Sequence, residues 1–235
     1  PVTAEGQVGY AQSLAVADLT GDGVPDIAVA NSNGRAIAVL AGVGDGTFRL
    51  HREVRGLIGR PTGIAASDFD GDGDLDLSVV VAATGDLYIL LNPGDGLFTS
   101  AVASGMIGTN PRGIAVADID GDGNVDLGVT DADGGFYTRL GDGDGAFAPS
   151  VRTVSTPSGG LYEIAVGDLD GDGRADLAGA QAGRDNLVLL LSGSAEVVRV
   201  PVGRQPEGVA VADFDGDGDL DLASANTGAN TVTIR

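Results

Sequence analysis

Asp68-Phe69-Asp70-Gly71-Asp72-Gly73-Asp74-Leu75-Asp76 places five carboxylates at alternate positions, with glycine at the fourth and sixth. Variants of the same nine residues begin at Asp18, Asp118, Asp168 and Asp213, so successive starts lie 50, 50, 50 and 45 residues apart. Self-similarity at a fixed period marks a repeat architecture, in which each period is one supersecondary unit that buries its core only against its neighbours. The nine residues are the fixed point of each unit.

Short apolar runs flank them. Ser13–Ala17, Ile64–Ser67, Gly113–Ala117, Glu163–Gly167 and Gly208–Ala212 precede the five copies; Ile27–Ala30, Leu77–Val81, Leu127–Thr130, Leu177–Ala180 and Leu222–Ala225 follow them. Their brevity, their Ala, Val and Ile content and the flanking Gly and Pro predict strands, so each acidic loop joins two strands. A third strand is expected after a polar turn, at Ala36–Leu40, Leu87–Leu91, Gly135–Leu140, Leu187–Leu191 and Thr231–Ile234. A glycine-rich turn ending in Phe comes next (Gly44 to Phe48, Gly94 to Phe98, Gly141 to Phe147), then a more polar fourth strand such as Arg49–Val54. The fourth repeat has Ser192-Gly193-Ser194-Ala195-Glu196 in place of that turn. Four short strands plus turns fill the period. Pro61, Pro111 and Pro206 read as turn residues leading into first strands.

Small residues recur in the first strand of each repeat: Ala15 and Ala17, Ala65 and Ala66, Ala115 and Ala117, Ala165 and Gly167, Ala210 and Ala212. Strands that converge on an axis have little room for side chains, so this strand is expected innermost. The sequence thus predicts an all-β fold, a five-bladed β-propeller of four-stranded blades forming a single domain over residues 1–235. The last repeat stops at the end of its third strand, while Val2 to Val8 precedes the first loop without a partner. That segment is expected to complete the last blade and close the ring, which leaves no terminal edge exposed.

Forty glycines, 43% hydrophobic residues and 20% charged ones describe a folded chain that turns often. A net charge of −21 argues against nucleic acid and anionic membrane surfaces as partners. The absence of cysteine excludes disulfides, thiolate metal sites and a cysteine nucleophile, and His51 as the sole histidine makes zinc a poor candidate. The longest apolar run, Leu77 to Ala83, is too short to span a membrane as a helix. A start at Pro1 without an initiator Met is compatible with a processed, secreted protein.

Positions one, three, five, seven and nine of the loops carry the chemistry. They are Asp18, Thr20, Asp22, Val24 and Asp26 in the first, and Asp68, Asp70, Asp72, Asp74 and Asp76 in the second. The third has Asp118, Asp120, Asp122, Asn124 and Asp126; the fourth Asp168, Asp170, Asp172, Arg174 and Asp176; the fifth Asp213, Asp215, Asp217, Asp219 and Asp221. Alternate carboxylates converge if the intervening glycines let the chain curl, and an all-oxygen nest suits calcium, which takes roughly six to eight oxygen ligands. Position seven varies so widely that a shared ligand there can only be the backbone carbonyl. Thr20 leaves the first loop one carboxylate short, so that site is expected to bind most weakly. An EF-hand is excluded because position twelve is Val29, Val79, Val129, Gly179 or Ser224 instead of Glu. Five bound ions would reduce the net charge from −21 to about −11.

The Asp-x-Asp-Gly-Asp-Gly-x-x-Asp loop between two apolar strands, followed by Gly-Asp-Gly-x-Phe, resembles the FG-GAP (VCBS-type) repeats of integrin α-subunit heads, of a fungal propeller lectin and of many secreted bacterial proteins. The resemblance covers essentially the whole chain and implies a propeller with calcium between the first and second strands of each blade. The ligand role then carries to Asp18, Thr20, Asp22 and Asp26 and to the corresponding positions of the other four loops. Familiar members have about seven blades, whereas this chain has five loops. It either closes as a small ring, a monomer, or donates Val2 to Val8 to a neighbour in a head-to-tail polymer.

The expected function is that of an extracellular, calcium-stabilised, non-catalytic binding or assembly module with a protein or glycan ligand. A carbohydrate-binding lectin is the alternative, for which Tyr10, Tyr88, Tyr137 and Tyr162 are the available stacking groups besides Phe. A polysaccharide lyase is less favoured. It would need His51, Arg52 and Arg55 as base and charge-neutralising groups, and nothing in the sequence orients His51 as a base.

Overall fold

A computed structural model describes residues 10–98, 102–155, 159–193 and 196–235. The expected N-terminal strand, Val2 to Val8, and part of the fourth repeat's substituted turn lie outside the described residues. Within them the chain is entirely strand and turn, with no helix long and apolar enough to cross a membrane.

The strands fall into five antiparallel sheets, one per repeat. The first sheet is β1 (Ala11–Ala17), β2 (Asp26–Asn31), β3 (Ala36–Gly42) and β4 (Phe48–Val54). The second is β5 (Arg60–Ser67), β6 (Asp76–Ala82), β7 (Asp86–Leu90) and β8 (Val102–Met106). The third comprises β9 (Pro111–Ala117), β10 (Asp126–Asp131), β11 (Gly135–Arg139) and β12 (Val151–Ser155). The fourth comprises β13 (Leu161–Gly167), β14 (Asp176–Gln181), β15 (Asn186–Leu191) and β16 (Glu196–Pro201). The fifth has three strands, β17 (Pro206–Ala212), β18 (Asp221–Asn226) and β19 (Thr231–Ile234). In every sheet the strands lie side by side in chain order, as successive hairpins dictate.

Burial explains the sequence pattern. The second strands β6, β10 and β14 are buried along nearly their whole length, which is why they read as unbroken apolar runs instead of alternating ones. First strands are only half buried, and the outer strands β4 and β8 are largely exposed. None of the three prolines precedes its strand as expected from sequence: Pro61 lies inside β5, and Pro111 and Pro206 open β9 and β17. The pairing shifts between Pro61 and Gly63 and between Pro206 and Gly208, so each of these prolines sits beside a bulge, a place in a sheet where a missing N–H is tolerated.

The chain forms two compact units, residues up to Pro111 with Gly141–Phe147, and Arg112–Leu140 with Ala148–Arg235. In the first unit, Ile37, Val39 and Val54 of one sheet and Leu77, Val79, Val81, Tyr88 and Leu90 of the next share a core with Leu19 and Phe98. The second unit has two such layers, Phe136 and Val154 with Leu161, Leu177 and Val188, and Ala178, Ala180 and Leu187 with Val209 and Leu222. Gly179 marks where a layer is tightest: a Cβ there would lie 2.7 Å from the Phe136 ring, so glycine makes room for the aromatic.

Candidate metal centres

The acidic loops fold around their first carboxylate. Asp68 accepts hydrogen bonds from the Gly71 amide at 2.7 Å and the Gly73 amide at 3.0 Å. Asp118 takes the Gly121 and Gly123 amides at 2.7 and 2.9 Å, Asp168 those of Gly171 and Gly173 at 2.8 and 2.9 Å, and Asp213 those of Gly216 and Gly218 at 2.6 and 3.1 Å. Reaching both amides from one carboxylate requires left-handed backbone at both glycines, with φ of +76° and +93° at Gly71 and Gly73. The position-five carboxylate caps the turn from inside, as Asp72 accepts from the Asp74 amide at 2.9 Å and Asp122 from the Asn124 amide at 2.8 Å.

The ninth position does something different. Asp26, Asp76, Asp126 and Asp176 are fully buried, and the Oδ2 of each accepts the amide of loop position two, that of Leu19, Phe69, Ile119 or Leu169. Oδ1 of Asp26, Asp76 and Asp176 reaches past the third strand to the amides of Gly42, Asn92 and Ser192, at 2.8, 2.7 and 2.7 Å. One carboxylate thus ties the loop to the exit of the third strand. Burial pushes the Asp76 carboxyl up to about 6, with Asp70 and Asp72 adding to the rise, although the Phe69 and Asn92 amides pull the other way.

Four loops bring three acids together. Asp68, Asp70 and Asp76 each offer an oxygen within 4.8 Å of the others, and so do Asp168, Asp170 and Asp176, and Asp213, Asp215 and Asp221. In the third loop the group is Asp118, Asp120 and Asp122. The first loop, with Thr20 at position three, gathers no such group among the described residues. The Thr20 hydroxyl there is buried and has no hydrogen-bond partner among the described residues. Hard carboxylate oxygens at this separation fit a calcium ion better than a soft or nitrogen-seeking metal.

The glycine-Phe turns were invisible as part of these centres in the sequence. In the first unit, the turn of one repeat seats on the acidic loop of the repeat before it. Asn92, buried at the start of its turn, donates to the carbonyls of Leu19 and Leu75, both at 2.9 Å, and accepts the Gly94 and Gly96 amides. The Gly145 amide donates to the Phe69 carbonyl at 2.9 Å, and Phe147 meets Phe69 edge-on with ring centroids 5.6 Å apart. The only sequence signal for this was that the turn recurs at a nearly constant distance after the first three loops.

The remaining candidate groups are occupied or dispersed. His51 lies on β4 with Nε2 2.9 Å from the Asp95 carbonyl, Arg55 pairs with Glu53, and Arg52 is exposed. Tyr88 is buried and accepts the Ile58 amide; Arg112 stacks over Tyr162 and Arg152 over Tyr137; Tyr10 is exposed.

A family profile described as FG-GAP-like repeat matches residues 18–79, 78–129 and 118–179. The chain belongs to the FG-GAP-like repeat family. The first and third matched segments each begin at an acidic loop and run through the next one, and the second runs from just past the second loop through the third. No curated protein matches the chain. Among solved structures, a nidogen/laminin complex contains a chain that superposes with a TM-score of 0.64 at 17% identity, covering 95% of this chain and 74% of that one. A lectin of Agrocybe aegerita, solved for its recognition of non-reducing terminal N-acetylglucosamine, superposes with a TM-score of 0.61 at 21% identity, covering 99% and 67%. At these identities the likeness is one of fold.

Proposed function

We propose that this FG-GAP-like chain is a calcium-stabilised five-bladed β-propeller, closed as a single domain, that works outside the cell as a non-catalytic binding or assembly module. The observation that carries the reading is the convergence of three carboxylate oxygens within 4.8 Å in four of five loops, at repeated offsets. Bringing acids together without a cation is unfavourable, because each desolvated negative charge raises the cost of its neighbour. Bound calcium would cancel that repulsion. The residues that would hold it are the position-one, -three, -five and -nine side chains with the position-seven backbone carbonyl; the fifth blade's fourth strand would come from the N-terminal segment. Extracellular calcium near 1 mM and a dissociation constant near 10⁻⁴ M would make each ion worth about 1.4 kcal/mol of stability.

The two structural neighbours take part in a protein complex and in glycan recognition, which supports a protein or glycan ligand. A protein ligand is favoured, because Tyr88 is buried and Tyr137 and Tyr162 each lie beneath an arginine, leaving few faces for sugar stacking. Calorimetric titration of chelator-stripped protein with calcium tests the reading: binding at four or more sites per chain is expected, and no heat of binding refutes it.

A further inference from the structure

In a chain of net charge −21, strand β4 is basic. Arg49 and Arg52 lie on it and Arg55 one residue beyond its end. β4 is the last strand of its sheet, so among the described residues its outer backbone groups have no partner strand. Regular alternation would put Arg49 and Arg52 on opposite faces. The register instead runs Ala41 to Arg49, Leu40 to Leu50 and Val39 to Arg52, with His51 as the extra residue of a bulge. Because Val39 and Ala41 share a face, the bulge places both arginines on that face, two ladder steps or about 7 Å apart. Glu53, opposite Ala38, points to the other side. Arg49 and Arg52 are exposed and make no hydrogen bond or ion pair among the described residues.

Charged residues and bulges also protect sheet edges from chance pairing. The outer strands β8 and β12 each carry a bulge as well, yet β8 has no charged residue and the Arg152 of β12 is engaged with the Gly134 carbonyl and the Tyr137 ring. Edge protection in this fold therefore does not require a free arginine pair. We propose that β4 is a docking edge for an extended acidic segment of another polypeptide, which adds as a strand with carboxylates on alternate residues facing Arg49 and Arg52. Alternate residues of an extended peptide recur at the same spacing of about 7 Å, so one register satisfies both guanidinium groups and the backbone ladder together. The proposal rests on the reading of the chain as a binding module and names its partner class.

The test is fluorescence anisotropy at low ionic strength and saturating calcium with a labelled synthetic peptide of alternating Val and Glu. The wild-type chain is expected to bind it, with affinity falling by about tenfold or more in the Arg49→Glu/Arg52→Glu variant and substantially in Arg49→Gln/Arg52→Gln. Absence of binding, or equal binding by either double variant, overturns the proposal. Equal binding of a proline-interrupted peptide, or of a soluble polyglucuronate, also overturns it, because charge alone would then suffice without a strand. Melting curves with and without calcium on the same variants keep the two claims apart: an intact calcium response with no peptide binding sinks this surface and leaves the metal centres standing.

Discussion

Individual residues in this protein serve as hinges of charge and backbone, and their substitutions separate the two roles. Gly73→Ala places a side chain at φ +93° with open space around it, so the cost is backbone strain alone, about 1–2 kcal/mol in chemical denaturation. Gly21→Ala carries the same kind of strain and also drives a Cβ to 2.9 Å from the Gly94 carbonyl, so it should cost more. Equal losses would mean that the turn does not press on the loop. Asp76 predicts a pH response. Its folded pKa of about 6 exceeds the ordinary carboxyl value of 3.8, so between these values the calcium-free folded state holds a proton that the unfolded state releases. Its contribution to stability is therefore greatest below about pH 4 and is lost as pH rises through about 6. Calcium affinity at the second loop should run the opposite way, weakening as protons compete below about pH 6. Denaturation midpoints of the stripped Asp76→Asn variant should lack this component of the pH dependence.

At the scale of elements, the loop and the turn of the following repeat form one clasp in the first unit. Asn92→Ala removes donors to two loop carbonyls and leaves the Gly94 and Gly96 amides without their acceptor, and should cost about 2–3 kcal/mol in denaturant melts. Thr20→Asp should do the reverse for calcium, supplying the missing position-three carboxylate and adding or strengthening a site in calorimetric titration. An unchanged titration would show that the first loop's weakness lies elsewhere. The strands and loops were legible from the sequence because strict spacing and apolar runs report local backbone preference directly. Leu127–Thr130, for example, lies within β10, extended by one residue at each end. Other features were not legible because they depend on partners far along the chain. Asn92 is one polar residue among many until its Leu19 carbonyl acceptor is known, and the His51 bulge that aligns Arg49 with Arg52 leaves no mark on composition. Proline told of irregularity, but not that the irregularity was a bulge inside a strand.

For the whole molecule, carboxylate convergence is repeated, so its energetic consequence accumulates with the number of loops. Several ions at about 1.4 kcal/mol each amount to a large part of the net stability of an ordinary domain. If the loops hold calcium, the strongly negative charge serves metal binding more than solubility, and ligand recognition falls to surfaces where the repeats differ, such as β4. The direct test is thermal unfolding of the wild-type chain after exhaustive chelation and again in 1–10 mM calcium, a range of roughly extracellular order and above. The melting temperature is expected to climb by roughly ten degrees or more with calcium and to keep rising with its concentration. Superimposable melts with and without the ion would show that calcium does not stabilise this fold.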